Sequence, residues 1–305
     1  MKIGVVGLGS IAQKAYLPLY MKLQDQVDFY FATRSQQVQE EIQEKYDLEH
    51  IYNDLDELLA KGIEACFIHT ATASHYALVK QCLENNIDVF VDKPLSENFA
   101  EVDELLKLAQ RKQRILMVGF NRRFAPLVDK LKGLPDKRLL FLQKNAVNDE
   151  KETTYEIFDV FLHLVDTAVY LLDEPVCSIF SDICQKDGYL DTASLTLKTE
   201  NSTASLSMDL KSGANYELYQ LTSLSETDFL ENLVSLKRYK GEQKITVNFG
   251  DWADTLVKRG FEPMVQAFLA AVKTRSTKNL RQKGIRQSHH SCQEMLKQAE
   301  KMRQK

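Results

Sequence analysis

Through the first 120 residues, short apolar runs alternate with longer stretches whose apolar positions recur every three to four residues. Lys2–Val6 is the first run, and others follow at 27–32, 64–69, 87–91 and 115–119. Helical periodicity fills the intervals, at roughly 11–23, 36–46, 54–60, 74–85 and 98–112. Runs that are apolar on both faces suit a parallel sheet buried between helices. Five successive strand–helix alternations predict a doubly wound parallel α/β sheet.

The pattern changes after Gly119. A helix is expected at 123–132, a strand at 138–147, and a strongly apolar helix at 156–172 that Pro175 stops. Period-two strands follow at 176–185, 189–199, 202–210, 216–224 and 233–240, which suits an antiparallel sheet with one covered face. Helices at 261–275 and 286–303 close the chain. The expected division is a first domain over 1–119 and an α+β second domain over 120–305, with the closing helices able to return to the first domain.

The chain of 305 residues carries a net charge of −4, which disfavours a nucleic-acid-coating surface. Five cysteines, an odd number without a C-x-x-C pair, argue against a disulfide framework or a cysteine-rich zinc site and fit a reducing cytoplasm. The apolar N-terminus is short and broken by glycines, unlike a secretory signal, and no run is long enough to span a membrane.

Candidate chemistry begins right after the first strand. Gly7-Leu8-Gly9-Ser10-Ile11-Ala12 is a G-x-G-x-x-A turn. Its first glycine permits the tight turn, its second lets a pyrophosphate approach the backbone, and the small Ala12 lets helix and strand pack closely. Free N–H groups at the helix start would face the phosphates. An NAD binder usually has a carboxylate at the end of the second strand, whereas this chain has Thr33-Arg34-Ser35. A hydroxyl and a guanidinium would hold a 2′-phosphate, so NADP is favoured over NAD.

The fourth strand runs into Asp92-Lys93-Pro94. A lysine beyond the carboxyl end of a parallel strand faces the ligand crevice and can hydrogen-bond a reacting oxygen, and Pro94 raises the chance of a cis bond. Asp159, His163 and Asp166 fall on one face of an otherwise apolar helix. There Asp159 can orient the imidazole, and His163 can accept the proton of an alcohol that loses hydride. His75 either faces the cofactor or packs and caps. Arg122-Arg123 reads as a phosphate ligand or a solvated helix start. His289, His290 and Cys292 point apart on a helix, so no metal is expected. The basic tail, Lys297, Lys301, Arg303 and Lys305, reads as a solvated helix face.

These motifs, in this order and together with Val118-Gly-Phe-Asn-Arg-Arg-Phe-Ala-Pro126, resemble the glucose-fructose oxidoreductase/inositol dehydrogenase/MocA family, and in detail its virulence-factor MviM-like branch. The resemblance implies a Rossmann domain followed by an open antiparallel sheet, and hydride transfer between a nicotinamide cofactor and a sugar, cyclitol or related polyol. It makes Lys93 the catalytic lysine, and Asp159 and His163 the pair on the substrate helix. It sets Thr70, Ala71 and His75 in the loop after strand three, and Asn121 and Arg122 near the nicotinamide. A homodimer through the second-domain sheet is also implied. The chain departs from the pattern at Asp92, where a glutamate is usual, and at Thr153-Thr-Tyr-Glu156 and Phe161, where glycines are frequent. Those departures motivate an alternative, a catalytically silent dinucleotide-binding regulatory or scaffold protein.

Overall fold

The computed structural model describes residues 1–303; Gln304 and Lys305, and with them the end of the basic tail, lie outside the described residues. The chain forms two compact units, Met1–Gly119 with Phe261–Gln282, and Phe120–Gly260 with the segment from Lys283 onward. The first closing helix, Phe261–Thr274, thus belongs to the first unit, and the second, Ile285–Arg303, to the second.

The first unit holds a parallel five-stranded sheet: β1 (Lys2–Val6), β2 (Asp28–Ala32), β3 (Ala65–Ile68), β4 (Asp88–Val91) and β5 (Leu116–Val118), in the order β2-β1-β3-β4-β5. Every residue of β3 and β4 is buried, which is why they read as apolar runs apart from Asp88, whose carboxylate accepts from Ile115 N and pairs with Arg275. The chain leaves β1 for β2 on one side and returns for β3 on the other. The strand order therefore reverses between β1 and β3, and ligands of such sheets bind beyond the carboxyl ends at that point. Phe67, Phe90 and Phe268 stack edge-on in the core, pinning helix Phe261–Thr274 to the sheet at ring separations of 5.0 to 5.7 Å.

The second unit holds an eight-stranded sheet: β6 (Lys137–Asn145), β7 (Ser178–Lys186), β8 (Tyr189–Lys198), β9 (Thr203–Asp209), β10 (Tyr216–Ser223), β11 (Thr227–Glu231), β12 (Ser235–Lys240) and β13 (Gln243–Asn248). The order is β13-β12-β11-β10-β6-β9-β8-β7, antiparallel throughout except for the parallel pair β6–β9. Helix Leu162–Leu172 packs on β6 and β9, and helix Ile285–Arg303 on β7. The inward residues of β6, Leu140 and Leu142, are buried, while the alternate residues Leu139 and Phe141 are each 44% exposed. This is the alternation of a sheet with one covered face.

Two strands, β11 and β13, are absent from the sequence expectation. In β11 an inward position is Asp228, which breaks the apolar alternation. The carboxylate is buried only because Arg238 of β12 grips both its oxygens, at 2.9 and 2.7 Å. Strand β13 is an edge strand exposed at nearly every residue, so no burial period marks it. The apolar helix expected at 156–172 is also interrupted. An α-turn at Thr153–Glu156 passes through a π-helical turn, Ile157–Phe161, into the α-helix Leu162–Leu172. Among the described residues, no helix is long and apolar enough to cross a membrane.

Candidate active site

In the first unit the candidate residues gather at the carboxyl ends of β1, β3 and β4. Gly7 has φ +93°, and a Cβ there would come within 2.8 Å of the His69 and Thr70 backbone, so only glycine lets β1 turn this close to β3. Gly9 is different: a Cβ would meet nothing within 4 Å. Its bareness serves no packing contact within the chain and leaves a cradle that a side chain would fill, as a pyrophosphate requires. Ser10 is exposed, Ile11 is 44% exposed, and Ala12 is fully buried against the strand. The residues present therefore fit a dinucleotide. At the end of β2, Arg34 is exposed, and Ser35 caps the helix Gln36–Tyr46 by accepting a bond from Val38 N.

The loop after β3 is held by its own side chains. Ser74 Oγ donates to Ala71 O at 2.8 Å and shares a 2.7 Å hydrogen bond with Thr70 Oγ1. His75 is buried, with Nδ1 2.7 Å from Pro94 O and Nε2 3.0 Å from Thr70 O. Both ring nitrogens thus face backbone carbonyls, and a neutral ring can donate to only one of them. Burial pushes the pKa of His75 below the ordinary histidine value.

After β4 comes Asp92, then half-buried Lys93 and a cis Lys93–Pro94 bond. Asp92 accepts from the Tyr16 hydroxyl at 2.5 Å and from His69 Nδ1 at 2.9 Å. His69 is buried, stacks on Tyr16 with ring centres 3.9 Å apart, and meets the Tyr20 hydroxyl through Nε2 at 2.8 Å. Burial, reinforced by the Asp92 charge, pushes both phenols well above their usual pKa, so Tyr16 and Tyr20 remain donors. In a neutral His69 ring the network allows one tautomer, with the proton on Nδ1 facing a carboxylate that can only accept and Tyr20 donating to Nε2. Burial opposes the Asp92 charge, but the adjoining His69 ring and the two hydrogen bonds outweigh it and hold the carboxyl below its usual range. Sequence reasoning did not find this cluster. Its one signal is the i, i+4 tyrosine pair on the helix that the glycine turn opens.

In the second unit, Asp159 lies in the π-helical turn and His163 in the helix after it; both are partly exposed. Tyr155, one turn earlier, hydrogen-bonds Asp159, and its phenol is pushed up by burial first and then by that carboxylate. Asp166, the third member of the polar stripe, is buried and committed elsewhere. It accepts from Arg123 Nε and Nη2 at 2.8 and 2.6 Å and from Ser288 Oγ at 2.9 Å. Phe161 is fully buried in the core of its own unit.

The segment 121–124 is a buried 3-10 turn. The reading of Arg122-Arg123 as a solvated helix start is overturned, because both guanidiniums are buried against carboxylates. Arg122 donates from Nε and Nη2 to the two oxygens of Glu217, at 2.7 and 2.9 Å, and Nε also reaches the Tyr219 hydroxyl. Burial opposes ionisation of Glu217, but Arg122 and then Lys144 hold its pKa far below the usual range. Asn121 donates to Arg259 O at 2.8 Å. His289 is buried and bonded to Ile285 O, Cys292 is buried, and His290 faces Glu294.

A glycine turn with an open cradle at the switch point of a parallel sheet is the frame of a dinucleotide-binding α/β protein. Residues 1–120 match the GFO_IDH_MocA family, described as an oxidoreductase family with an NAD-binding Rossmann fold. The putative oxidoreductase YceM of Salmonella typhimurium is 30% identical over 280 residues, which cover 90% of this chain and 91% of that one. Myo-inositol 2-dehydrogenase of Thermotoga maritima is 31% identical over 217 residues, 65% of each chain. The crystal structure of the dehydrogenase MviM from Clostridium difficile superimposes with a TM-score of 0.89 at 28% identity, over 98% of this chain and 99% of that one. The chain belongs to the glucose-fructose oxidoreductase/inositol dehydrogenase/MocA family of oxidoreductases.

Proposed function

We propose that the protein is an NADP-dependent dehydrogenase or reductase that transfers hydride between the nicotinamide and a hydroxyl or carbonyl carbon of a sugar, cyclitol or related small polyol. The observation that carries this reading is the open cradle at Gly9, on the same sheet edge as the turn that bears Lys93. The bound dinucleotide supplies the hydride acceptor. Gly7, Gly9, Ser10 and Ile11 receive its pyrophosphate side, with Ala12 permitting the close packing beneath. Thr33 and Arg34 select NADP over NAD, since no carboxylate stands at the end of β2 to repel a 2′-phosphate. Thr70 and Ala71 line the same edge, and His75, Asp92 and Pro94 fix its loops. Asn121 and Arg122 shape the chain beyond β5.

In oxidation, the Lys93 ammonium donates a hydrogen bond to the reacting oxygen and stabilises the negative charge that develops there. His163 takes the hydroxyl proton, and Asp159 orients its ring. In reduction the proton returns from His163 or Lys93. Asp166 takes no part, because Arg123 and Ser288 hold it.

The exposed face of the eight-stranded sheet carries Leu139, Phe141 and Phe180, at 44%, 44% and 58% exposure. These exposed apolar side chains, with Ser205 and Thr196 between Phe141 and Phe180, suit a homodimer through that sheet in the cytoplasm. The function is tested by incubating purified protein with NADP or NAD and a panel of polyols, cyclitols and sugars while following reduced-nicotinamide absorbance. NADP reduction with at least one panel member is expected. Tight dinucleotide binding without turnover on any member would instead favour the regulatory or scaffold reading.

A further inference from the structure

Lys93 carries a flexible four-carbon stem, so the backbone beneath it helps to set where its ammonium can reach. Displacing a reacting group by about 1 Å can cost about a hundredfold in rate. In this chain the residues on either side of the lysine are anchored by different elements. Before it, the Asp92 carboxylate is fixed by Tyr16 from the first helix and by His69 from the end of β3. After it, the Pro94 carbonyl is met by His75 Nδ1, whose ring also reaches Thr70 O in the loop after β3. Two histidines six residues apart thus hold the lysine turn, one through a side chain and one through the main chain.

We propose that His75, acting with the Asp92–His69–Tyr16 cluster, is a positioning residue that fixes the backbone on both sides of Lys93 and so sets the aim of its ammonium. The inference rests on the reading of Lys93 as a catalytic group. The hydrogen-bond chemistry specifies which nitrogen matters. A neutral imidazole has one N–H, and burial favours the neutral ring. Both its partners are carbonyl oxygens, which only accept. That one proton is assigned to Nδ1, whose contact with Pro94 O at 2.7 Å is the shorter, so that the tie to the lysine turn is a donated bond and Nε2 only abuts Thr70 O. A ring that merely filled space would show no preference between its two nitrogens.

That preference makes the test. Asn in place of His75 carries an amide N–H near the Nδ1 position, Gln carries one near Nε2, and Leu carries neither. The three variants are compared with wild type for kcat, KM, NADPH dissociation constant and thermal midpoint. The assay uses NADP and whichever polyol or cyclitol the panel identifies. His75→Leu and His75→Gln are expected to lose about tenfold or more in kcat, with NADPH affinity kept within about twofold, and His75→Asn to recover at least about a third of wild-type kcat. A folded His75→Leu with unchanged kcat overturns the proposal, as does His75→Asn failing as badly as His75→Leu. If His75→Leu does not fold, Tyr16→Phe removes one bond to Asp92 at nearly constant volume, and it too should lower kcat without weakening NADPH. An unchanged kcat in Tyr16→Phe would then sink the idea. Lys93→Met separates the two levels. If it keeps wild-type kcat, or if no panel member turns over, the catalytic reading fails and the positioning proposal with it. If Lys93→Met is dead and His75→Leu is not, the positioning proposal alone fails.

Discussion

Arg123 is fully buried, and its charge is compensated by Asp166, which takes two of its N–H groups, and by Lys283 O, which takes a third. Removing one partner of such a pair strands the other charge in the core. Arg123→Met is therefore expected to destabilise the protein by about 3–5 kcal/mol, read as a drop in the denaturation midpoint of the second unit. A loss below about 1 kcal/mol would mean that water reaches Asp166. The same pair explains what the sequence did and did not disclose about this region. Asp159, His163 and Asp166 share a helix face, and periodicity reveals that much. Periodicity cannot tell that Asp166 is claimed by an arginine 43 residues away, because the pairing is a long-range contact with no local signature. Arg122 is the parallel case: its partner Glu217 lies on β10, 95 residues on.

At the scale of elements, the two glycines of the first turn play separable roles. Gly7 sits at positive φ against the Thr70 backbone, so Gly7→Ala should cost stability, on the order of 1–3 kcal/mol. Gly9 has open space around its missing Cβ, so Gly9→Ala should fold with an unchanged melting midpoint yet bind NADPH about tenfold or more weakly. Calorimetric titration beside thermal unfolding checks both; a Gly9→Ala variant with full NADPH affinity would remove the cradle from the binding site. The central parallel strands β3 and β4 were legible because burial on both faces leaves apolar runs, and the half-exposed β2 because it keeps Phe29-Tyr30-Phe31-Ala32. Strands β11 and β13 were not, one because an inward aspartate is neutralised from the neighbouring strand, the other because an exposed edge has no period. The π-helical turns at Ala12–Tyr16 and Ile157–Phe161 were also invisible, since both keep the apolar content of an ordinary helix. Each contains a candidate site residue, Ala12 in the first and Asp159 in the second, and functional sites are where such turns are frequently found.

At the scale of the whole molecule, chain order alone divides the candidate machinery between two units. The glycine turn, the β3 loop and Lys93 belong to the first; Asp159 and His163 belong to the second. The motifs that carry the dinucleotide site are local in sequence, so they could be read directly. The cluster that braces Lys93 brings together residues 16, 69, 75 and 92 from separate elements, and only the folded sheet unites them. The central claim is that this lysine performs chemistry and does not merely bind cofactor. Its most direct measurement is the Lys93→Met variant, assayed for NADPH affinity and for turnover on the substrate that wild type accepts. The expected result is wild-type affinity with kcat reduced by about a hundredfold or more. Wild-type turnover in that variant would contradict the account.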